Sequence, residues 1–370
     1  MKGSRILTML LALVAIVAVA AGEARPAPRE GVKLRVVATL PDYADFARVI
    51  GGDRVAVEAI VRGDQDAHFI RPKPSFVEMV ARADVLVTTG LDLEMWLPTV
   101  IDKCGNTHVR SGQPGYVAVS EGINLLEKPT KLSRAEGGVH IYGNPHLTCS
   151  PVNMKRVARN IATGLIRNDP EGEAYYRANL ERLLARIDER LFGKELPELL
   201  GAETLCRMAH NGTLVPFLQK HKLKGKPLAD YAGGWLKAMR PLWGTALVSY
   251  HKNWVYFLKL FDLEEAGTVE PKPGISPSPK HVSELVTMMK ERHIRIILAA
   301  NYFDEQKIRM VASRVGAEPV IVPLYGGGAP EATDYFALVD LWIDRLLAGA
   351  QKAGMLSEDE KKPQAEAPTP

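Results

Sequence analysis

Cysteine is scarce in this chain of 370 residues: only Cys104, Cys149 and Cys206 are present. An odd number at wide spacing excludes a disulfide framework, and the absence of paired short spacings excludes a cysteine-based zinc site. Cys149, three residues after His146, reads as a small buried residue. Charge of one sign is lacking too. The formal net charge is +4 and no long basic stretch breaks the mixture of acids and bases, so nucleic acid and membrane surfaces are poor partners. Also missing are an HExxH helix, a Gly-x-Ser-x-Gly elbow and a dedicated general base beside the histidines singled out below, which leaves hydrolytic chemistry weakly supported.

Long apolar runs are limited to one. Residues 6–21 are apolar, follow Lys2 and Arg5, and end in small residues, with Gly22 and Ala24 spaced like a cleavage signal. The run falls short of the about 20 residues a membrane span needs, so residues 1–24 read as a cleaved secretory signal peptide. No cysteine stands near the cleavage site, which favours a soluble periplasmic protein over a lipid-anchored one. At the other end, residues 356–370 are charged and then rich in Pro and Ala, with little to bury, and read as a disordered tail.

Between these ends the composition suits packed cores, with 46% hydrophobic residues and length for about two domains. Residues 34–39 are apolar and β-branched, 43–50 are helical in spacing, and 55–61 are strand-like again. A loop at 62–71, a helix at 75–82 and a strand at 85–89 follow. Such alternation predicts an α/β fold with a parallel sheet and helices on both faces. Ser150 followed by Pro151 predicts a capped helix start. Residues 173–191 carry Tyr176, Leu180, Leu183, Leu184 and Ile187 on one face, a length suited to a rigid connector.

Residues 193–235, with several glycines and prolines, read as an insertion of mixed structure. A second run of alternating elements follows: a strand at 246–250, an apolar helical stripe of Trp254, Phe257, Leu258 and Phe261, a helix at 279–292, a strand at 294–299, a helix at 305–315, a strand at 319–324 and a closing helix at 335–347. Glycines 326–328 permit a tight turn at the end of the last strand. The expected organisation is a lobe at 32–170, a connecting helix at 171–192, the insertion at 193–235 and a second lobe at 236–350.

Against this frame three histidines stand out: His68 in the loop after the second strand, His146 just before the Ser150–Pro151 helix start, and His251 at the end of the strand 246–250. Open α/β sheets collect ligand groups at the strand ends. Neutral imidazoles from three distant loops suit a borderline metal, zinc above all. A lone histidine is usually structural, and His108, His281 and His293 read so; His210 and His221, in the insertion, read as surface residues. His140, six residues before His146, reads as a surface group or one that approaches the metal from outside its ligand shell. Glu94 reads either as an orienting partner for a ligand imidazole or as a cap for the helix that follows.

The loop around His68, the segment ADVLVTTGLDLEMWL, the GNPH motif before Pro151 and the segment HKNWVYF occur in an order that resembles the metal-specific periplasmic solute-binding proteins of ABC importers, the zinc and manganese cluster. The resemblance covers essentially the whole mature chain. It implies two Rossmann-like lobes joined by one long helix, a metal site in the interlobe cleft, and delivery of the ion to an inner-membrane permease by a monomer. Carried over, the ligands fall on His68, His146 and His251, with no role as an enzyme.

Two departures from the family pattern bear on function. Members often carry an aspartate after the strand corresponding to residues 320–325, where this chain has Gly326 and Gly327. The fourth ligand is then water, Asp66, Glu270 or Asp304, and the loss of a hard oxygen donor favours Zn²⁺ over Mn²⁺. The spacing between His146 and His251 is also longer than the family leads one to expect, and the excess lies in the insertion, which is placed to cover the cleft or to contact the permease. The alternatives are manganese or iron capture by the same kind of protein and, further off, a zinc-dependent hydrolase. Because ligation needs unprotonated imidazoles, affinity is expected to fall below about pH 6.5.

Overall fold

A computed structural model describes residues 33–129, 140–272 and 274–356. The expected signal peptide, nearly all of the charged tail and most of the polar stretch before His140 lie outside the described residues. In the first half, strand β1 (Leu34–Ala38) leads to helix α1 (Pro41–Gly51), then β2 (Val55–Ala59), α2 (Pro74–Ala81), β3 (Val85–Thr88), α3 (Leu97–Cys104) and β4 (Tyr116–Ala118). All pairings are parallel, in the order β2-β1-β3-β4. Strand order reverses between β1 and β3, and a crevice at the carboxyl ends of the strands is the expected ligand position there. Val85, Leu86 and Val87 of β3 are fully buried, as a central strand covered on both faces requires.

Helix α4 (Pro151–Asn168) begins where the Ser150 Oγ accepts a hydrogen bond from the backbone N–H of Asn153 at 3.3 Å. It packs against α5 (Glu173–Phe192), which also touches α1 and reaches α9 (Gly234–Ala238). Between them lie α6 (Glu195–Leu200), α7 (Ala202–Asn211), α8 (Leu214–Lys220) and a two-residue-per-strand hairpin, β5 (Lys222–Leu223) with β6 (Lys226–Pro227). This stretch is mainly helical. Buried Lys155 of α4 ties it down, its Nζ 2.6 Å from Asp188 Oδ1 on α5 and 3.4 Å from Glu203 Oε1 on α7. The stretch packs on α4, α5 and the following α10 (Val255–Leu260).

The second sheet contains β7 (Ala246–Ser249), β8 (Glu264–Thr268), β9 (Ile296–Ala300) and β10 (Glu318–Val322), all parallel in the order β10-β9-β7-β8. Read from the β8 side, this repeats the connectivity of the first sheet. Helices α11 (Pro279–Glu291), α12 (Glu305–Val315) and α13 (Tyr335–Lys352) complete it. The Trp254 and Phe257 stripe is core: both residues are fully buried, and Trp254 meets Trp342 of α13 edge-on at 5.2 Å.

The lobes meet closely around α1, the loop after β2 and the glycine turn after β10. Asp42 Oδ1 on α1 accepts from Gly326 N at 2.8 Å, Asp45 Oδ2 accepts from Tyr335 N at 3.0 Å, and the Tyr335 hydroxyl donates to Thr148 O at 2.9 Å. Gly63 lies against the glycine turn so tightly that a Cβ would stand 2.2 Å from Gly328 N and 2.3 Å from Gly326 O. Gly327 takes φ +74°, the left-handed region that glycine adopts without cost.

Candidate metal centre

The elements above bring four imidazoles to one point. His68 sits in a single 3-10 turn, Ala67–Phe69, after β2; His251 follows β7 by two residues; His146 precedes the turn Leu147–Cys149 that enters α4; His140 opens the segment leading to it. One ring nitrogen from each of His68, His140, His146 and His251 falls within 4.8 Å of the other three. Ring centroids are 5.1 Å apart for His68 and His146, 5.6 Å for His68 and His251, and 5.5 Å for His146 and His251. The three histidines singled out from sequence are brought together, and a fourth joins them.

Each Nδ1 is taken up by an acceptor of its own. Asp66 Oδ1 lies 2.7 Å from His68 Nδ1, Asp92 Oδ1 2.9 Å from His140 Nδ1, Asn144 Oδ1 2.9 Å from His146 Nδ1, and Glu270 Oε2 2.6 Å from His251 Nδ1. The four Nε2 atoms are thereby left facing inward. His68 and His140 Nε2 are 3.2 Å apart, and the Nε2 atoms of His146 and His251 are buried with no hydrogen-bond partner. A tetrahedral zinc with bonds of about 2.0–2.1 Å places its nitrogens about 3.3 Å apart. One edge of the cluster has that length, and the other edges are no longer than 4.8 Å.

Two placements differ from the sequence reading. His140 lies in the same cluster as the other three rings, with Asp92, 48 residues earlier in sequence, against its Nδ1. The carboxylates considered for the fourth position are engaged elsewhere. Asp66 and Glu270 hold the far side of His68 and His251, and Asp304 caps α12, accepting from the backbone N–H groups of Gln306 and Lys307. Glu94 neither touches an imidazole nor caps a helix. It is buried, and its Oε1 accepts from the Thr39 hydroxyl at 2.5 Å and from Thr89 N at 3.0 Å, tying together the ends of β1 and β3. Beside it, Trp96 Nε1 donates to Ala67 O at 2.8 Å and steadies the turn that carries His68.

Electrostatics follow burial. Burial pushes the His146 imidazole well below its ordinary value, and the neighbouring rings of His68, His251 and His140 add to the shift. Burial also lowers His251, against the opposing hydrogen bond from Glu270. Burial alone would raise Asp66 and Asp92, but the hydrogen bonds from His68 and His140 prevail and hold both carboxyls below the usual range. The site therefore offers the lone pairs of His146 and His251, which burial keeps unprotonated, together with the ionised carboxylates of Asp66 and Asp92 behind His68 and His140, a combination that attracts a divalent cation. Exposure is uneven: the side chains of His68 and His140 retain 13% and 12% of their accessible surface, whereas His146 and His251 are buried.

The remaining histidines lie outside the cluster. His108 Nε2 pairs with Asn168 Oδ1 at 2.7 Å, His281 Nε2 donates to Thr268 O at 2.9 Å, and His221 stacks on Phe217. Cys149 is buried and free, and Cys104 and Cys206 are free as well.

A family model described as the periplasmic zinc-uptake complex component A, ZnuA, matches residues 36–190 and 234–349. The chain belongs to this family. The two matched stretches leave residues 191–233 between them. The chain is similar to the manganese ABC transporter substrate-binding lipoprotein PsaA of Streptococcus anginosus, 29% identical over 95% of this chain and 99% of that protein. The high-affinity zinc uptake system protein ZnuA of Bacillus subtilis is 21% identical over 83% of each chain. Iron is represented by the substrate-binding lipoprotein MtsA of Streptococcus pyogenes, 30% identical over 51% of this chain and 58% of that protein. Among solved structures, a zinc-bound ZnuA deletion mutant superposes with a TM-score of 0.62 at 21% identity, covering 85% of this chain and 97% of that one. Members of the family are thus metal-binding components of ABC importers, and this chain shares their two-lobed fold.

Proposed function

We propose that this protein captures Zn²⁺ in the periplasm, after cleavage of a signal peptide at residues 1–24, and delivers it as a monomer to an ABC permease in the inner membrane. One observation carries the choice of metal: four imidazole nitrogens converge with no oxygen donor among them. Nitrogen ligands in a four-coordinate shell suit zinc, whereas manganese favours carboxylate, carbonyl and water. His68, His140, His146 and His251 are the assigned ligands, and Asp66, Asp92, Asn144 and Glu270 orient them. A closed set of four donors also speaks against hydrolysis, since catalytic zinc keeps a position open for water. Helix α5 serves as the connector between lobes, and residues 193–235 are an addition packed on α4, α5 and α10.

Competition titration of the metal-free protein with Zn²⁺ and Mn²⁺, followed by elemental analysis, tests the reading. One equivalent of zinc retained in the presence of equimolar manganese is expected. Preferential retention of manganese, or parent-like zinc binding by all four single His→Ala variants, defeats it.

A further inference from the structure

Asn144 is buried, and its side chain makes four polar contacts. Two of them involve backbone groups whose polarity is fixed. The backbone N–H of His146 donates to Oδ1 at 3.0 Å, and the carbonyl of Lys252 accepts from Nδ2 at 2.7 Å. The amide therefore fits one way round only. His146 Nδ1, 2.9 Å from that same Oδ1, has to donate to it, which places the ring proton on Nδ1 and the lone pair on Nε2, inside the cluster.

The rest of the amide reaches across the boundary between lobes. Nδ2 also donates to Glu127 Oε2 at 2.9 Å, while Glu127 Oε1 accepts from Lys252 Nζ at 2.8 Å. The Tyr256 hydroxyl donates to the Asn144 carbonyl at 2.7 Å. Glu127 and Asn144 belong to the first lobe; Lys252, adjacent to His251, and Tyr256 belong to the second. A single side chain thus orients one imidazole of the cluster and grips the backbone next to another. The other three imidazoles are aimed by carboxylates, which accept but cannot donate. A carboxylate at position 144 would aim His146 equally well, yet it would face Glu127 with like charge and leave the Lys252 carbonyl without a donor.

We infer that Asn144 is a positioning residue that links the metal site to the contact between the lobes: it fixes the His146 tautomer for ligation through Nε2 and makes the Glu127–Lys252 clasp and the bound ion reinforce each other. The inference rests on the assignment of the four imidazoles as ligands. Coupling of this kind is reciprocal in binding free energy, so weakening the clasp weakens the hold on the ion.

The experiment measures zinc release from the loaded full-length protein into excess chelator by stopped flow. The variants are Asn144→Asp, Glu127→Gln and the two combined. Asn144→Asp keeps the acceptor and loses the donor, and release about tenfold faster is expected, in the range typical for groups that orient a ligand. Glu127→Gln accelerates release in the parent background but slows it in the Asn144→Asp background, where the new amide donates to the new carboxylate and the repulsion disappears. Equal effects of Glu127→Gln in both backgrounds, or unchanged release from Asn144→Asp, overturns the inference. Nitrogen-15 NMR of the metal-free parent is expected to show His146 protonated at Nδ1, and a proton on Nε2 instead overturns it. Absence of zinc binding by the parent counts against the ligand assignment, while the tautomer measurement still decides the part played by Asn144.

Discussion

A buried imidazole is a useful ligand only if its proton sits on the far nitrogen, and in this protein four different acceptors see to that. Replacing Glu270 by Gln keeps the size but substitutes a neutral amide for the carboxylate 2.6 Å from His251 Nδ1. Zinc affinity is expected to fall about 10–100-fold, measured by competition with a chelating dye. Burial depresses His146 and His251, so at these two rings protons compete with the metal only below the figure of about 6.5 for a free imidazole. The stability sign is the companion result. Below about pH 6.5 an unfolded chain binds protons that the folded, metal-free protein refuses at these rings, so their contribution is intact above that pH and is lost as pH falls toward the folded values. Thermal melts of the metal-free protein from pH 7.5 to 5 check this, and a midpoint that rises on acidification contradicts it. His68, His146 and His251 were legible in sequence because each adjoins a strand end or a helix start. His140 was not: it borders a polar stretch without periodicity, and the carboxylate that aims it comes from a distant loop.

Among the elements, the entry to α4 carries much of the site. Ser150→Ala removes the cap that receives Asn153 N–H, at a cost of about 1 kcal/mol, and loosens the turn that follows His146. Chemical denaturation is expected to register that loss together with weaker zinc retention. Most helices and central strands announced themselves by apolar periodicity, and their bounds shift by only a few residues in the structure. Two edge strands did not. Strand β8 reads Glu264-Glu265-Ala266-Gly267-Thr268, with two acids and a glycine, and a register shift between Leu247 and Val248 offsets its pairing with β7. Strand β4 is three residues long. An edge strand pairs on one side and has less to bury, so its sequence need not alternate. The miss matters for function, because β8 is what carries Glu270 to His251. The mainly helical character of α6 to α8 was hidden by prolines and glycines that lie at helix starts and ends, as Pro197, Gly201 and Gly212 do.

For the molecule as a whole, the seam between the lobes responds to pH on its own account. Burial raises the Asp42 carboxyl to about 8, against the opposing hydrogen bond from Gly326, and its Oδ2 has no partner. The folded protein therefore holds a proton there that the unfolded chain releases near 3.8, so this group's contribution is complete below that pH and is lost as pH rises toward 8. Asp42→Asn is expected to flatten the decline in melting temperature as pH rises from about 4 to about 8; an unchanged slope rejects the assignment. Gly63→Ala tests the same seam by steric means. Its methyl would collide with backbone on the other side, and a melting temperature lowered by several degrees is expected, read by calorimetry with and without zinc.

The unequal exposure of the four rings gives the cluster a front and a back. With these rings as the proposed ligands, a scavenging molecule approaching through solvent would reach the His68 and His140 edge first and would strip those two bonds while the deep pair still gripped the cargo. Discharge would then be a sequence of partial transfers, and an acceptor of the metal would have to present its own donors on that one side.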